Sequence, residues 1–82
     1  MKRQELETWL ISKGYSKDTF GHYQRETGDT TVRFKIQASS VRYEKRAKIV
    51  DHNEWLRLAS GYYKDLSITE DDKLRGMEGR RW

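Results

Sequence analysis

The chain has 82 residues, 37% of them charged and 34% hydrophobic, and its formal net charge is +4 at pH 7. This length allows one small domain, whose core must depend on aromatic side chains, since these make up 12% of the chain and aliphatic residues are few. The sequence lacks cysteine, which excludes disulfides, thiolate nucleophiles and cysteine-ligated metals, and no apolar run approaches the roughly 18 residues of a membrane span. We therefore expect a cytoplasmic protein without a signal peptide, membrane contact, metal or cofactor.

The first predicted element is an amphipathic helix over residues 1–13. Leu6, Trp9 and Leu10 form an apolar stripe at helical spacing, and Gly14 suits the position where a helix ends. Beyond this helix the apolar residues recur at every second position, which is typical of half-buried strands.

Two hairpins are predicted in the next part of the chain. The first has a tight turn centred on Gly28 and Asp29. This turn sets Tyr23 opposite Phe34. The second hairpin turns at residues 38–40. The apolar side chains of these strands then share one inner face, which we expect to pack against the helix.

A third turn, centred on His52 and Asn53, is predicted to set Ile49 opposite Leu56. Residues 53–66 also carry apolar side chains at helical spacing. The alternation of leucine and arginine, together with a glycine inside the segment, favours a strand.

The C-terminal stretch allows two structures. The acids at 70–72 suit either the first turn of a helix or the loop of a short hairpin, and residues 76–82 are expected to form a flexible tail. The predicted fold class is α+β: a single domain over 1–82, in which an N-terminal helix packs on a four-stranded antiparallel meander followed by a short C-terminal helix or hairpin. The predicted core between helix and sheet consists of Leu6, Trp9, Leu10, Tyr23, Phe34, Ile36, Tyr43, Ile49, Leu56 and Leu58.

The outer face of the predicted sheet is strongly basic. By strand parity it carries a single acid, Glu44, among the cations Arg33, Lys35, Arg42, Arg46, Lys48 and Arg57. The same parity projects the rings of Phe20, His22 and Trp55 from this face. Cations that neutralise phosphates, interleaved with rings that stack on bases, are typical of surfaces that bind single-stranded nucleic acid. A merely solvated face usually mixes both signs of charge, so the sequence favours a nucleic-acid-binding protein whose partner is RNA or single-stranded DNA.

His22 is the candidate catalytic residue. In the predicted register it lies beside Lys35, which disfavours a charged imidazole and would leave a neutral base close to a phosphate. A surface imidazole without a catalytic role is the simpler interpretation, and we expect the protein not to be an enzyme. His52 falls in a predicted turn, and two distant histidines do not make a zinc site.

The first 37 residues resemble a known toxin family. The opening MKRQELETWLISKGY, followed by the Gly21-His22 pair and alternating strands, is similar to HicA-type mRNA interferase toxins of toxin–antitoxin systems. These are small proteins with one helix on three strands, related to double-stranded-RNA-binding domains. The resemblance implies ribonuclease activity with His22 as the catalytic histidine. The chain departs from the family pattern in lacking the neighbouring serine and second histidine, in having Tyr23 after His22, and in everything after Ser40.

Binding to another protein is the alternative to binding nucleic acid. Tyr62 and Tyr63 follow Gly61, and tyrosine is common in protein interfaces. A compact, basic chain without cysteine also suits a small adaptor or inhibitor of the kind found among the accessory proteins of phages and mobile elements. The simpler interpretation of the two tyrosines is that both rings close a small core.

Overall fold

A computed structural model of the chain describes residues 1–47 and 54–80. Within them the chain forms an N-terminal helix, a six-stranded antiparallel sheet and a two-stranded hairpin, in agreement with the predicted α+β class. The elements are α1 (Arg3–Ser12), β1 (Ser16–Lys17), β2 (Tyr23–Thr27), β3 (Thr30–Ile36), β4 (Ser40–Ala47), β5 (Leu56–Tyr62), a short 3₁₀ helix (Tyr63–Asp65), β6 (Ser67–Ile68), β7 (Leu74–Arg75) and β8 (Glu78–Gly79). The large sheet has the order β1-β2-β3-β4-β5-β8, and β6 pairs with β7. Among the described residues no helix is long and apolar enough to cross a membrane.

Helix α1 packs against the inner face of the sheet through its apolar stripe. Leu6 and Leu10 have no exposed surface and belong to the same core cluster as the inward side chains of the strands. The chain leaves the helix at Gly14, whose φ of +87° favours a residue without a Cβ. Arg25 on β2 donates to the carbonyl oxygen of Lys13 over 2.8 Å, which satisfies one of the last carbonyls of the helix.

The hairpin of β2 and β3 has the predicted register, and the hairpin of β3 and β4 turns at the predicted place. Tyr23 pairs with Phe34 across the first hairpin, and Ile36 pairs with Val41 across the second. Phe34, at the centre of this layer, is 1% exposed. The alternation of apolar and polar residues therefore determined both the pairing and the buried face, as it does in sheets with one solvated side.

The segment after the third predicted turn is a strand, β5, but its register differs from the prediction. Leu56 pairs with Lys45, and Ile49 lies outside the described residues together with the predicted turn. A bulge in the β4–β5 ladder leaves Leu58 as an extra residue on β5. As a result Leu56 is 58% exposed and Leu58 is only half-buried, so the prediction that Leu56 is a core residue is wrong.

The acidic stretch at 70–72 forms the loop of the β6–β7 hairpin, one of the two structures predicted for it. Asp72 has a φ of +61°, accepts a hydrogen bond from the indole of Trp9 over 3.0 Å and forms an ion pair with Lys13. The hydrogen bond from the Lys13 ammonium, followed by that from the indole, holds the pKa of Asp72 below its usual value. The hairpin is thereby attached to helix α1.

The described part of the predicted C-terminal tail belongs to the fold. Strand β8 pairs with β5 at the edge of the large sheet, and Met77 is buried in the core. Two glycines permit this close approach of backbones. A Cβ on Gly76 would overlap the carbonyl oxygen of Asp65, and a Cβ on Gly79 would overlap that of Leu58.

The core is rich in aromatic rings, as predicted, but its membership differs in part. The buried residues that the sequence predicts are Leu6, Leu10, Tyr23 and Phe34. Half-buried at its margin are Trp9, Ile36 and Tyr43. The buried apolar residues outside the predicted core list are Tyr15, Val32, Val41, Ala59, Tyr63, Leu66, Leu74 and Met77. Of these, Val32 and Val41 lie on the predicted inner face of the strands, and burial of Tyr63 is the simpler of the two interpretations of the adjacent tyrosines.

Alkaline pH is expected to destabilise the domain through its buried tyrosines. Tyr15 packs edge-on against Phe34, with ring centroids 5.3 Å apart, and burial, reinforced by the neighbouring Tyr43, raises the pKa of Tyr15 from 10.0 to about 12. Burial also raises the pKa of Tyr23 and of Tyr63. Between about pH 10 and about pH 12 the unfolded chain loses phenolic protons that the folded chain keeps, so the free energy of unfolding falls as pH rises.

Urea unfolding followed by circular dichroism at about pH 9 and about pH 11 measures this loss. Tyr15→Phe removes a titrating group from the core and should make the loss of stability between the two pH values smaller than in the wild-type chain. Tyr62→Phe, which removes a hydroxyl from an exposed ring, is the matched control. An unchanged pH dependence in Tyr15→Phe would mean that Tyr15 ionises as readily in the folded chain as in the unfolded one.

Candidate functional site

Polar side chains line up across four strands on the outer face of the sheet. His22 stands beside Lys35 where the β2–β3 ladder ends, and Lys35 pairs with Arg42 on β4. We call His22, Lys35 and Arg42 the basic row. On the far side of Arg42 the same line continues with Ser60 on β5 and ends at Glu78 on β8. The structure therefore brings together three of the side chains that the sequence predicts to face a nucleic acid.

A second line of charged residues lies next to the basic row, and one of its two cations is neutralised. Arg33 pairs with Glu44 across β3 and β4, with 2.8 Å between Nε and Oε1, and their side chains are only 15% and 7% exposed. On the other side Glu44 pairs with Arg57. Because the buried carboxylate already binds Arg33, a contact of Arg33 with phosphate would require this ion pair to break.

Trp55 is half-buried on the outer face, with guanidinium groups against its ring. The Cζ atom of Arg33 lies 4.0 Å from the ring centroid, and that of Arg46 lies 4.7 Å from it. Such cation–π contacts occupy the ring surface that a base would need. The predicted stacking role of Trp55 would therefore require Arg33 or Arg46 to move.

Four of the predicted cations have no ion pair with a described residue: Lys35, Arg42, Arg46 and Arg57. The guanidinium group of Arg46 lies against the ring of Trp55, and the predicted Lys48 lies outside the described residues. Lys35 and Arg42 are half-buried, and Arg57 is exposed. These side chains give the outer face a positive charge, which Glu78 at the end of the line offsets only in part.

His22 is oriented by two backbone interactions. Its Nδ1 accepts a hydrogen bond from the backbone N–H of Ile36 over 3.0 Å, and its own backbone N–H donates to Asp18. Burial, followed by the charges of Arg33 and Lys35, outweighs the opposing effect of Asp18 and lowers the pKa of His22. The neutral ring therefore carries its proton on Nε2, and this arrangement makes His22 a hydrogen-bond donor with no lone pair left for a general base.

Phe20 is held on an ordered turn next to the basic row. The carboxylate of Asp18 accepts hydrogen bonds from the backbone N–H groups of Phe20 (2.8 Å) and His22 (2.9 Å), and Gly21 has a φ of +84°. The side chain of Phe20 is nonetheless 82% exposed. A fixed backbone thus presents a large apolar ring to solvent.

A cleft of about 590 Å³ opens where the basic row meets β5 and β8. Arg42 and Arg57 contribute cations to its lining, and the exposed ring of Tyr62 forms part of its wall. Asp65 and Glu78 contribute carboxylates. The remaining residues of the lining are Gln37, Ser40, Ser60, Gly61, Gly76 and Met77. The sequence does not predict this cleft, because its walls come from segments that only the pairing of β5 with β8 brings together.

The two adjacent tyrosines have different environments. Tyr62 is 57% exposed, whereas Tyr63 is buried, with its hydroxyl donating to the carbonyl oxygen of Gln37 over 2.7 Å. The structure thus makes Tyr63 a core residue and leaves Tyr62 available for contact.

The described residues contain no group of three or more His, Cys, Asp or Glu side chains placed to hold a metal ion. Comparison of the chain with models of known protein families, with curated proteins and with solved structures finds no match. The outer face and its cleft are therefore the features of the molecule that bear on its function.

Proposed function

We propose that the protein binds single-stranded nucleic acid, RNA or DNA, along the basic row and the cleft beside it. The observation that carries this proposal is the adjacency of Lys35, Arg42 and Arg57 on one face, none of them in an ion pair with a described residue. Neighbouring strands are about 4.8 Å apart, so Lys35 and Arg42 can reach the same phosphate or two successive ones. Cations of this kind supply sequence-independent affinity for the phosphate backbone.

Exposed rings at both ends of this surface support binding of unpaired bases. Phe20 precedes His22 at one end, and Tyr62 lies two residues beyond Ser60 at the other. A base that stacks on an aromatic ring gains about 1–3 kcal/mol, with little dependence on sequence. Phe20 and Tyr62 are therefore the proposed stacking residues, while Trp55 stays with its guanidinium partners.

Removing two of the free cations should weaken binding and reduce its salt dependence. For the double variant Arg42→Gln/Arg57→Gln we expect at least a tenfold loss of affinity for a labelled oligouridine at low salt. The slope of log K against log salt should become shallower by about 1.4, since each phosphate contact on a single strand contributes about 0.7. Fluorescence anisotropy at several salt concentrations, on ribose and deoxyribose oligomers, measures both quantities.

The matched control is Lys17→Gln/Lys73→Gln, which removes the same charge elsewhere. Lys17 pairs with Tyr23, so it projects from the opposite face of the sheet, and Lys73 belongs to the hairpin that is attached to helix α1. This variant should keep the wild-type affinity within about twofold. Equal losses in the two double variants would mean that net charge alone drives binding, and no salt-dependent binding by the wild-type chain would refute the proposed function.

Protein binding is the second candidate, and the exposure of Phe20 on an ordered turn favours it. A rigid aromatic side chain is a common anchor in protein interfaces. The variant Phe20→Ala separates the two candidates. If the protein binds nucleic acid through this ring, the variant should bind oligonucleotides more weakly than the wild-type chain. If the ring instead contacts a protein, the variant and the wild-type chain should bind oligonucleotides equally, or neither should bind them. Cleavage of RNA through His22 is not part of the proposal, because the lone pair of its Nδ1 is occupied by the Ile36 N–H.

A further inference from the structure

We propose that the cleft between β4, β5 and β8 holds one unpaired base and prefers guanine. This inference rests on the proposed function and adds a base preference to it. The cleft volume of about 590 Å³ lies within the range of about 300–1,000 Å³ that is usual for sites that bind small molecules. A site of this size accommodates a base and part of its sugar, while the phosphate remains at the basic row.

The cleft has opposite charges on its two sides. Arg42 and Glu78 flank Ser60 from the neighbouring strands β4 and β8. Two strand separations put their backbones about 10 Å apart, and no ion pair links them. The carboxylate and the guanidinium group therefore face a shared space without neutralising each other. A ligand that complements both has an anionic end and, several ångströms away, a cluster of hydrogen-bond donors, which is the chemistry of a nucleotide with an amino-bearing base.

Guanine offers the best match to the acidic side. Its N1–H and its N2 amino group are adjacent donors on one edge, so both can bind the two oxygens of a single carboxylate. Cytosine and adenine present one amino group beside an acceptor. Uracil and thymine present one N–H between two carbonyl oxygens, which a carboxylate repels. We assign the acceptor role to Glu78, because it lies in line with Arg42 on the outer face.

The wall of the cleft supplies a stacking surface for the same base. Tyr62 pairs with Ser40 at the end of the β4–β5 ladder, and both residues line the cleft. The Nζ atom of Lys64 lies 5.9 Å from the centroid of the Tyr62 ring, a distance that still permits a cation–π contact and leaves the ring 57% exposed. A base on this ring has its edge toward Glu78 and its phosphate toward Arg42 and Arg57.

The test uses labelled hexanucleotides that differ at one position. An oligouridine with a single central guanosine should bind about tenfold more tightly than the all-uridine oligomer, as expected for hydrogen bonds to a charged acceptor. An inosine at the same position lacks the N2 amino group and should fall between the two. Deoxyribose versions of the three oligomers show whether the sugar contributes.

The variant Glu78→Gln tests whether Glu78 is the acceptor. In this variant the ratio of the affinity for the guanosine-containing oligomer to the affinity for the all-uridine oligomer should fall to about one. Glu70→Gln, on the loop attached to helix α1, removes an exposed carboxylate elsewhere and should keep the ratio. A ratio that survives in Glu78→Gln, or equal binding of the inosine and guanosine oligomers, would overturn the inference. Salt-dependent binding of all oligomers with equal affinity would refute the base preference and leave the proposed function intact, whereas no binding of any oligomer would refute both.

Discussion

Replacing Glu44 with alanine is expected to lower the free energy of unfolding by about 3 kcal/mol. The carboxylate lies on the outer face but is 5% exposed, and it accepts a hydrogen bond from the Nε of Arg33. Trp55 packs against the same guanidinium group. Without Glu44 the charged guanidinium group of Arg33 would remain largely shielded from water, with no anion to neutralise it. A domain of this length typically has about 4–12 kcal/mol of stability, so such a loss is a large fraction of it.

Urea unfolding followed by circular dichroism measures the effect. Glu44→Gln keeps an acceptor for the Nε of Arg33 and should lose less stability than Glu44→Ala. Glu70→Ala, which removes an exposed acid, should stay within about 0.5 kcal/mol of the wild-type chain. Removing both charges in Arg33→Met/Glu44→Leu should recover more than half of the loss, because no buried charge is left unpaired. A change of less than about 0.5 kcal/mol in Glu44→Ala would mean that water replaces the carboxylate without penalty.

The second large effect is expected at Gly76, where alanine should cost about 3 kcal/mol. Its φ of +101° disfavours any residue with a Cβ, by about 1–2 kcal/mol. In addition the new Cβ would overlap the backbone carbonyl of Asp65, which cannot rotate away as a side chain could. Relief requires the following segment to move, and that segment contains Met77, a core residue, and strand β8.

Gly28→Ala separates the two causes. Gly28 also has a positive φ, +59°, but no atom lies within 4 Å of the position that a Cβ would occupy. This variant should therefore lose only the conformational part, about 1–2 kcal/mol. Thermal and urea unfolding of both variants give the comparison. Equal losses at the two positions would show that the backbone at Gly76 has room to adjust.

The sequence predicts the local pairing of strands well and the distant pairing poorly. Across β2, β3 and β4 the turns are short, so the turn residues and the alternation of side chains agree on one register, and Tyr23 and Phe34 pair as predicted. The pairing of β4 with β5 differs because Leu56 shifts by an even number of residues along β4, from Ile49 to Lys45. An even shift keeps Leu56 and Arg57 on their predicted faces, so the hydrophobic pattern alone cannot detect it. Beyond the bulge at Leu58 the shift is odd: Ala59 pairs with Tyr43 and is buried, whereas the predicted register sets it opposite Arg46 on the outer face.

The sequence predicts which charged residues lie on the outer face, but it does not predict which of them form ion pairs. Strand parity correctly assigns Arg33 and Arg42 to the outer face, but only the three-dimensional structure separates the neutralised Arg33 from the unpaired Arg42. The register that puts Arg57 next to Glu44 depends on the bulge at Leu58, which has no clear signature in the sequence.

The cleft was missed because its wall comes from a segment that resembles a tail. The residues around Glu78 are mostly polar and do not alternate between apolar and polar side chains, so the sequence does not predict a strand there. The available signal was the pair of glycines at 76 and 79, whose spacing permits close approach of one backbone to another. Met77 between them is the apolar residue that this approach buries.

The contact between Trp9 and Asp72 has a consequence for the order of folding. It joins residues 63 positions apart, whereas the β2–β3–β4 hairpins join near neighbours in the chain. Closing a long loop costs more entropy than closing a short one, so the central hairpins can form while the two ends are still apart. Until the ends meet, Leu6 and Leu10 lack part of the cover they have in the folded domain. We therefore expect the middle of the chain to assemble early and the docking of its first and last segments to complete folding.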